Sequence, residues 1–172
     1  AQSNKSNDQP LLLLRQSSIS LLADAVKSAG PAIHKYLVDV LDVCRSVLTM
    51  EIDRGNPGIG EVSNRNSRRA AAYVIKLLVQ QHGNALLKLP APNSSTGNTV
   101  SVSQEAWLTE ADRQSLSLGG YMRDLYRLLK QVIDNDADHV VQLHVGMTLS
   151  LVADVVREEL QKNVGVNEKV PT

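Results

Sequence analysis

From Ile33 to Leu48 the sequence sets apolar side chains at three- and four-residue intervals: Ile33, Tyr36, Leu37, Val40, Leu41, Cys44, Val47 and Leu48. Between them stand Lys35, Asp39, Asp42, Arg45 and Ser46. That spacing fits an α-helix with one buried stripe and one wet face, and it fits no strand. Phenylalanine is absent and aromatic residues make up only 3% of the chain, so leucine, valine and alanine must build the core. Such a core suits packed helices better than a sandwich or barrel.

Four further helical segments follow from the same periodicity. The first spans about Leu11 to Ala29, with Leu14, Ser18, Leu21, Leu22 and Ala25 expected on its buried face. Gly30 is a natural stop for it, and Pro31 a natural start for the Ile33–Leu48 helix. That second helix closes before the turn formers of residues 54–60. The third begins near Ser67 and ends about Gln81. It carries two stripes, Ala71, Val74, Ile75 and Leu78 beside Ala70, Tyr73 and Leu77, which demands neighbours on more than one side. The fourth runs from Gly120 to Asp134 over Tyr121, Leu125, Leu128, Leu129 and Val132. The fifth runs from Asp136 to Lys162, again with two stripes: Val140, Leu143, Met147 and Leu151, then Val141, Val145, Val152 and Val156. Asp136 and Asp138 stand where carboxylates favour a helix N-terminus.

The remaining stretches read as irregular. Residues 1–10 and 163–172 are polar and expected to be disordered. Residues 84–117, rich in Pro, Ser, Asn and Thr, read as a long flexible insertion with room for a short helix at 104–112. The polar opening lacks the basic start and apolar core of a signal peptide, and without an initiator methionine the chain is expected to be a fragment of something longer. Near the start the longest apolar run is Leu11–Leu14, far below the roughly 20 residues of a membrane span.

Charge narrows the function classes. Eighteen cationic and eighteen anionic side chains cancel. A protein that grips nucleic acid by neutralising phosphates is ordinarily basic, so direct nucleic-acid binding is not expected. Cys44 is the single cysteine, set among apolar residues as a small core side chain. Residues 134–138, Asp-Asn-Asp-Ala-Asp, open like a calcium loop, but the sixth position is His139 and the twelfth Val145, where glycine and glutamate are needed. His139 and His144 point about 140° apart on a helix, so they share no metal. No nucleophile elbow or phosphate loop is present, and no cofactor, metal or catalytic role is assigned.

The surface candidates are those of a protein-binding module. Arg68 and Arg69 form either a binding patch or first-turn residues that pair with neighbouring acidic groups or lie in water, the second being the stronger reading. Arg123, Arg127 and Lys130 make a basic strip suited to an acidic partner surface. Trp107, in a polar segment, is the preferred single contact residue.

The first and third segments also start alike. Arg15-Gln16-Ser17-Ser18 and Arg68-Arg69-Ala70-Ala71 each lead into apolar stretches that close on Gly30 and Gly83. That period of about 53 residues comes near the roughly 40–47 of HEAT and armadillo units once the Gly-rich turn is allowed for. The expected fold is therefore an all-α, HEAT/armadillo-like α-solenoid fragment of about five helices over residues 11–162. Segments one and two would form one pair, three and four another, with the fifth an unpaired or capping helix.

The runs from Arg68 to Leu78 (RRAAAYVIKLL), Arg123 to Lys130 (RDLYRLLK) and His139 to His144 (HVVQLH), with Leu14–Ser18, resemble the C-terminal end of the transport and Golgi organisation protein family. The yeast member of that family is named for being required for nuclear transport of RNA polymerase II. The chain departs from the family at the 84–117 insertion, at the Gly-rich turn, and at Gln142, where an arginine is common. The resemblance implies a cytoplasmic HEAT-repeat adaptor, shuttling to the nucleus. Its partners would be RNA polymerase II subunits or transport factors, together with the remaining repeats of its own full-length protein. The alternative reading is a helical regulatory subunit of a cochaperone or kinase-assembly complex.

Overall fold

The computed structural model describes residues 8–49, 59–90 and 120–167, and among them there is no strand. The described residues form five α-helices: α1 (Asp8–Ala29), α2 (Leu37–Leu48), α3 (Ile59–Leu86), α4 (Gly120–Asn135) and α5 (His139–Asn167), with a 3₁₀ segment over Gly30–Tyr36 between α1 and α2. Gly30 adopts φ +52°, the left-handed turn that closes a helix at no steric cost, and Pro31 opens the next segment as expected. The run then changes pitch at Tyr36 (φ −114°, ψ 3°), leaving that ring 49% exposed while Ile33, Leu37, Val40, Leu41, Cys44, Val47 and Leu48 are buried.

α3 is the central element. Ala71, Ala72, Val74, Ile75, Leu77, Leu78 and Val79 are all buried, over more than half of the circumference, with Tyr73 and Lys76 half-buried and Gln80 exposed on the remaining side. α1, α2 and α5 each pack on it, and α4 packs on α5. The extensive contacts therefore do not follow the expected pairing of first with second and third with fourth segments. A helix apolar over so wide an arc collects neighbours until that arc is covered, whatever their order in the chain.

Three further expectations are corrected. The buried face of α1 is Ile19, Ala23 and Val26 with part of Leu22; Leu14, Ser18, Leu21 and Ala25 are exposed. α3 begins at Ile59 rather than Ser67 and continues to Leu86, so residues 84–86 belong to a helix and Leu86 and Leu87 to the core. Helix also reaches out at both termini, from Asp8 and to Asn167, where disorder was expected. Residues 1–7, 50–58, 91–119 and 168–172 lie outside the described residues.

α3 kinks at His82 (φ −132°, ψ 18°), and the next residue explains why the helices can meet there. A Cβ on Gly83 would sit 2.6 Å from Val155 Cγ2, so glycine lets α3 and α5 approach closely. His34 Nε2 and His82 Nδ1 lie 3.1 Å apart, one donating and the other accepting, with their rings edge to face. By length and composition α5 is also long and apolar enough over His139–Lys162 to cross a membrane, with a mean hydropathy of 1.4. Only 28% of that window is buried, so α5 carries more apolar surface than this core uses.

Burial lowers the His82 imidazole below its ordinary value, and neighbouring His34 acts in the same direction. Burial lowers His144 too, with Lys76 adding to it. A histidine whose folded pKa is depressed binds fewer protons folded than unfolded. Stability is therefore full above the unfolded value of about 6.5 and declines as pH drops below it toward the folded values. Urea unfolding between about pH 7.5 and pH 5 should show that loss, and replacing His82 and His144 with asparagine should remove most of the slope. A flat profile in the unsubstituted chain would contradict the assignment.

Candidate partner-binding surface

The two arginines at the head of the third sequence segment lie well inside α3, and both face acids. Arg68 Nε and Nη2 donate to Asp136 Oδ2 and Oδ1 at 2.9 and 3.1 Å, and both side chains are 6% exposed. Arg69 donates to Asp138 at 2.8–3.0 Å, with its own side chain 39% exposed and that of Asp138 5%. Arg65 Nε lies 3.8 Å from the same carboxylate. Planar guanidinium against planar carboxylate gives paired, directional bonds that a lysine could not match. Arg68 is thus an internal structural group, and the reading of Arg68 and Arg69 as ion-paired holds for both.

The acids are themselves fixed by the α4–α5 turn. Asp138 Oδ1 accepts the backbone N–H groups of Val140 and Val141 at 2.9 and 3.1 Å and so caps α5. Asp136 Oδ1 accepts the N–H of Asp138 at 2.9 Å. Gln142 Nε2 donates to the Asp136 carbonyl at 2.8 Å, which assigns a structural role to the position where the resembled family commonly has arginine. Burial alone would raise the Asp138 carboxyl, but the Arg69 hydrogen bond and the Val141 and Val140 N–H groups outweigh it and hold the pKa below 3.8. The acids that opened like a calcium loop are engaged as a cap and as ion-pair partners.

The basic strip is divided. Arg123 is half-buried with a buried Nε that has no hydrogen-bond partner among the described residues. Arg127 is exposed, its Nη1 3.7 Å from Asp124. Arg127 and Lys130 line a hollow of about 440 Å³ with Tyr126, Gln131 and Asp134. Those two side chains are therefore the accessible part of the strip. Trp107 lies outside the described residues. Burial pushes the Cys44 thiol up to about 12, which keeps it protonated at neutral pH and in its expected core role.

The sequence pattern sets two apolar stripes on α5. The structure buries Val141, Val145, Val152 and Val156 but leaves Val140, Leu143 and Met147 37%, 60% and 45% exposed. Those three line one face, three and four residues apart, on the helix that Asp138 caps. They were visible as a stripe in the sequence, but nothing local distinguishes a stripe that meets its own chain from one that does not.

Replacing Arg68 with alanine strands a buried carboxylate and should cost about 3–5 kcal/mol in urea unfolding at neutral pH. Arg69→Ala, at a half-exposed site, should cost about 1 kcal/mol or less. Equal losses at the two positions would contradict this division. The Asp138 contribution is full above pH 3.8 and is lost as pH falls through its lower folded value.

Comparison of the chain with protein-family models, with curated proteins and with solved structures returned no match.

Proposed function

We propose that this chain is a segment of a HEAT-like α-solenoid that acts as a protein–protein adaptor. The observation that carries the reading is the outward stripe Val140, Leu143 and Met147 on α5. Solenoid helices are apolar on two sides because each repeat buries its faces against its neighbours. α5 has that character: one face packs on α3 and another is left without a partner among the described residues. Arg127 and Lys130 add a cationic edge on the adjacent α4, suited to an acidic partner surface. The rigid Arg–Asp clasp beside the α5 N-terminus holds the stripe in place, which limits the entropy lost on docking.

Within that class, transport or assembly of RNA polymerase II is the specific role, and it rests on the resemblance of residues 68–78, 123–130 and 139–144. The test is capture of purified RNA polymerase II subunits on the immobilised chain, alongside Leu143→Lys/Met147→Lys and Arg127→Glu/Lys130→Glu variants. The expected result is capture by the unsubstituted chain, reduced about tenfold or more by the apolar pair and several-fold by the charge pair. Capture that neither variant weakens would overturn the surface assignment. No capture of any subunit would overturn the polymerase role.

A further inference from the structure

The face of α1 that points away from α3 carries Leu11, Leu14 and Leu21, which are 65%, 63% and 68% exposed. Ser18, Ala25 and Ser28 complete the same face and are exposed as well. The six positions follow one another at alternating three- and four-residue steps, the spacing that lets one helix face form a seam with another helix. The opposite side, Ile19, Ala23 and Val26, is already buried.

We propose that two copies of this chain pair through α1, antiparallel, about a two-fold axis that passes between Ile19 and Ser20. The order of large and small residues along the seam points to this partner. Turned end for end in that register, Leu11 of one copy meets Ser28 of the other, Leu14 meets Ala25, and Ser18 meets Leu21. The reverse contacts follow by symmetry, so every leucine fits over a small side chain and no layer stacks large on large. This is the self-complementary surface that a closed dimer requires. A parallel pair would set leucine on leucine at three layers and leave gaps at Ser18, Ala25 and Ser28.

Electrostatics permit the same register. Half-buried Arg15 donates to Asn64 of its own copy, and Asp24 is paired with Lys27 at 3.4 Å, so both charges that flank the seam are engaged within one copy. A formal net charge of zero removes long-range repulsion between copies. The outward stripe of α5 is a poorer mate for α1, since Val140, Leu143 and Met147 are all large. Three leucines per copy make a small contact, so the dimer is weak, with a Kd on the order of 10⁻⁴ M. The inference does not rest on the adaptor reading.

Sedimentation equilibrium on the whole 18.7 kDa chain, up to roughly 1 mM, tests it directly. The expected result is a concentration-dependent rise toward twice the monomer mass. Leu14→Lys should weaken association at least about tenfold, and Ala25→Leu about fivefold by setting leucine against leucine. The double variant Leu14→Ala/Ala25→Leu exchanges large and small across the same layer, so it should return to within about twofold of the unsubstituted chain. Circular dichroism of each variant confirms that helix content is unchanged, as expected for exposed positions. A monomer at every concentration would overturn the proposal. So would association indifferent to Leu14→Lys, or a double variant no better than Ala25→Leu alone.

Discussion

Everything in this fold leans on the fact that α3 is apolar over so wide an arc. Ala71, Ala72, Val74, Ile75, Leu77, Leu78 and Val79 cover more than half of its circumference, and only the side of Lys76 and Gln80 stays near water, so neighbours must cover the rest. α1, α2 and α5 supply the enclosure. The small residues Ala71 and Ala72 at one end and Gly83 at the other let neighbours come close. Tight packing of this sort carries most of the stabilising burial, because short aliphatic side chains interlock without large voids. Polar anchors then fix the register of the surrounding helices. Arg15 Nη2 donates to Asn64 at 2.6 Å between α1 and α3, Arg68 and Arg69 hold the α4–α5 turn, and Tyr121 donates to Asp42 at 3.1 Å between α4 and α2.

Those anchors differ in kind. Arg68–Asp136 is buried on both sides, so each partner is indispensable to the other even if the pair adds little net stability over an apolar substitute. Its effect is specificity: it accepts one placement of the α4–α5 turn. Arg69–Asp138 is half in water, and its value lies in orienting a carboxylate that also caps α5. The apolar arc of α3 is covered, while the helices that cover it keep apolar faces of their own. α1 and α5 each turn a second apolar face outward, and the two proposals above take up one face each.

Much of this was legible in the sequence. The stripe of α2 and both ends of α4 follow from periodicity alone, because each has a single apolar face and strong breakers or polar runs beside it. The two-sided character of α3 was equally plain. The buried face of α1 was not, because Leu14, Leu21 and Ala25 compete with Ile19, Ala23 and Val26 at identical spacing. Periodicity identifies both faces and cannot rank them; the choice belongs to α3. The early start of α3 was hidden by Gly60, Ser63, Asn64 and Asn66, residues of weak helix propensity. The partners of Arg68 and Arg69 lie 68 and 69 residues away, so the sequence offered ion pairing without naming the acids. Trp107 and the rest of 91–119 lie outside the described residues, and the role assigned to that tryptophan rests on sequence alone.

The central claim is that α3 is the element the other helices depend on, and native-state hydrogen exchange tests it most directly. The account predicts that amides from Ala71 to Val79 exchange only through global unfolding, with opening free energies equal to that of the whole domain. Amides in the first turns of α1, around Leu13 and Leu14, should open at far lower cost. Protection that peaks in α1 or α5, with α3 opening below the global value, would contradict the account.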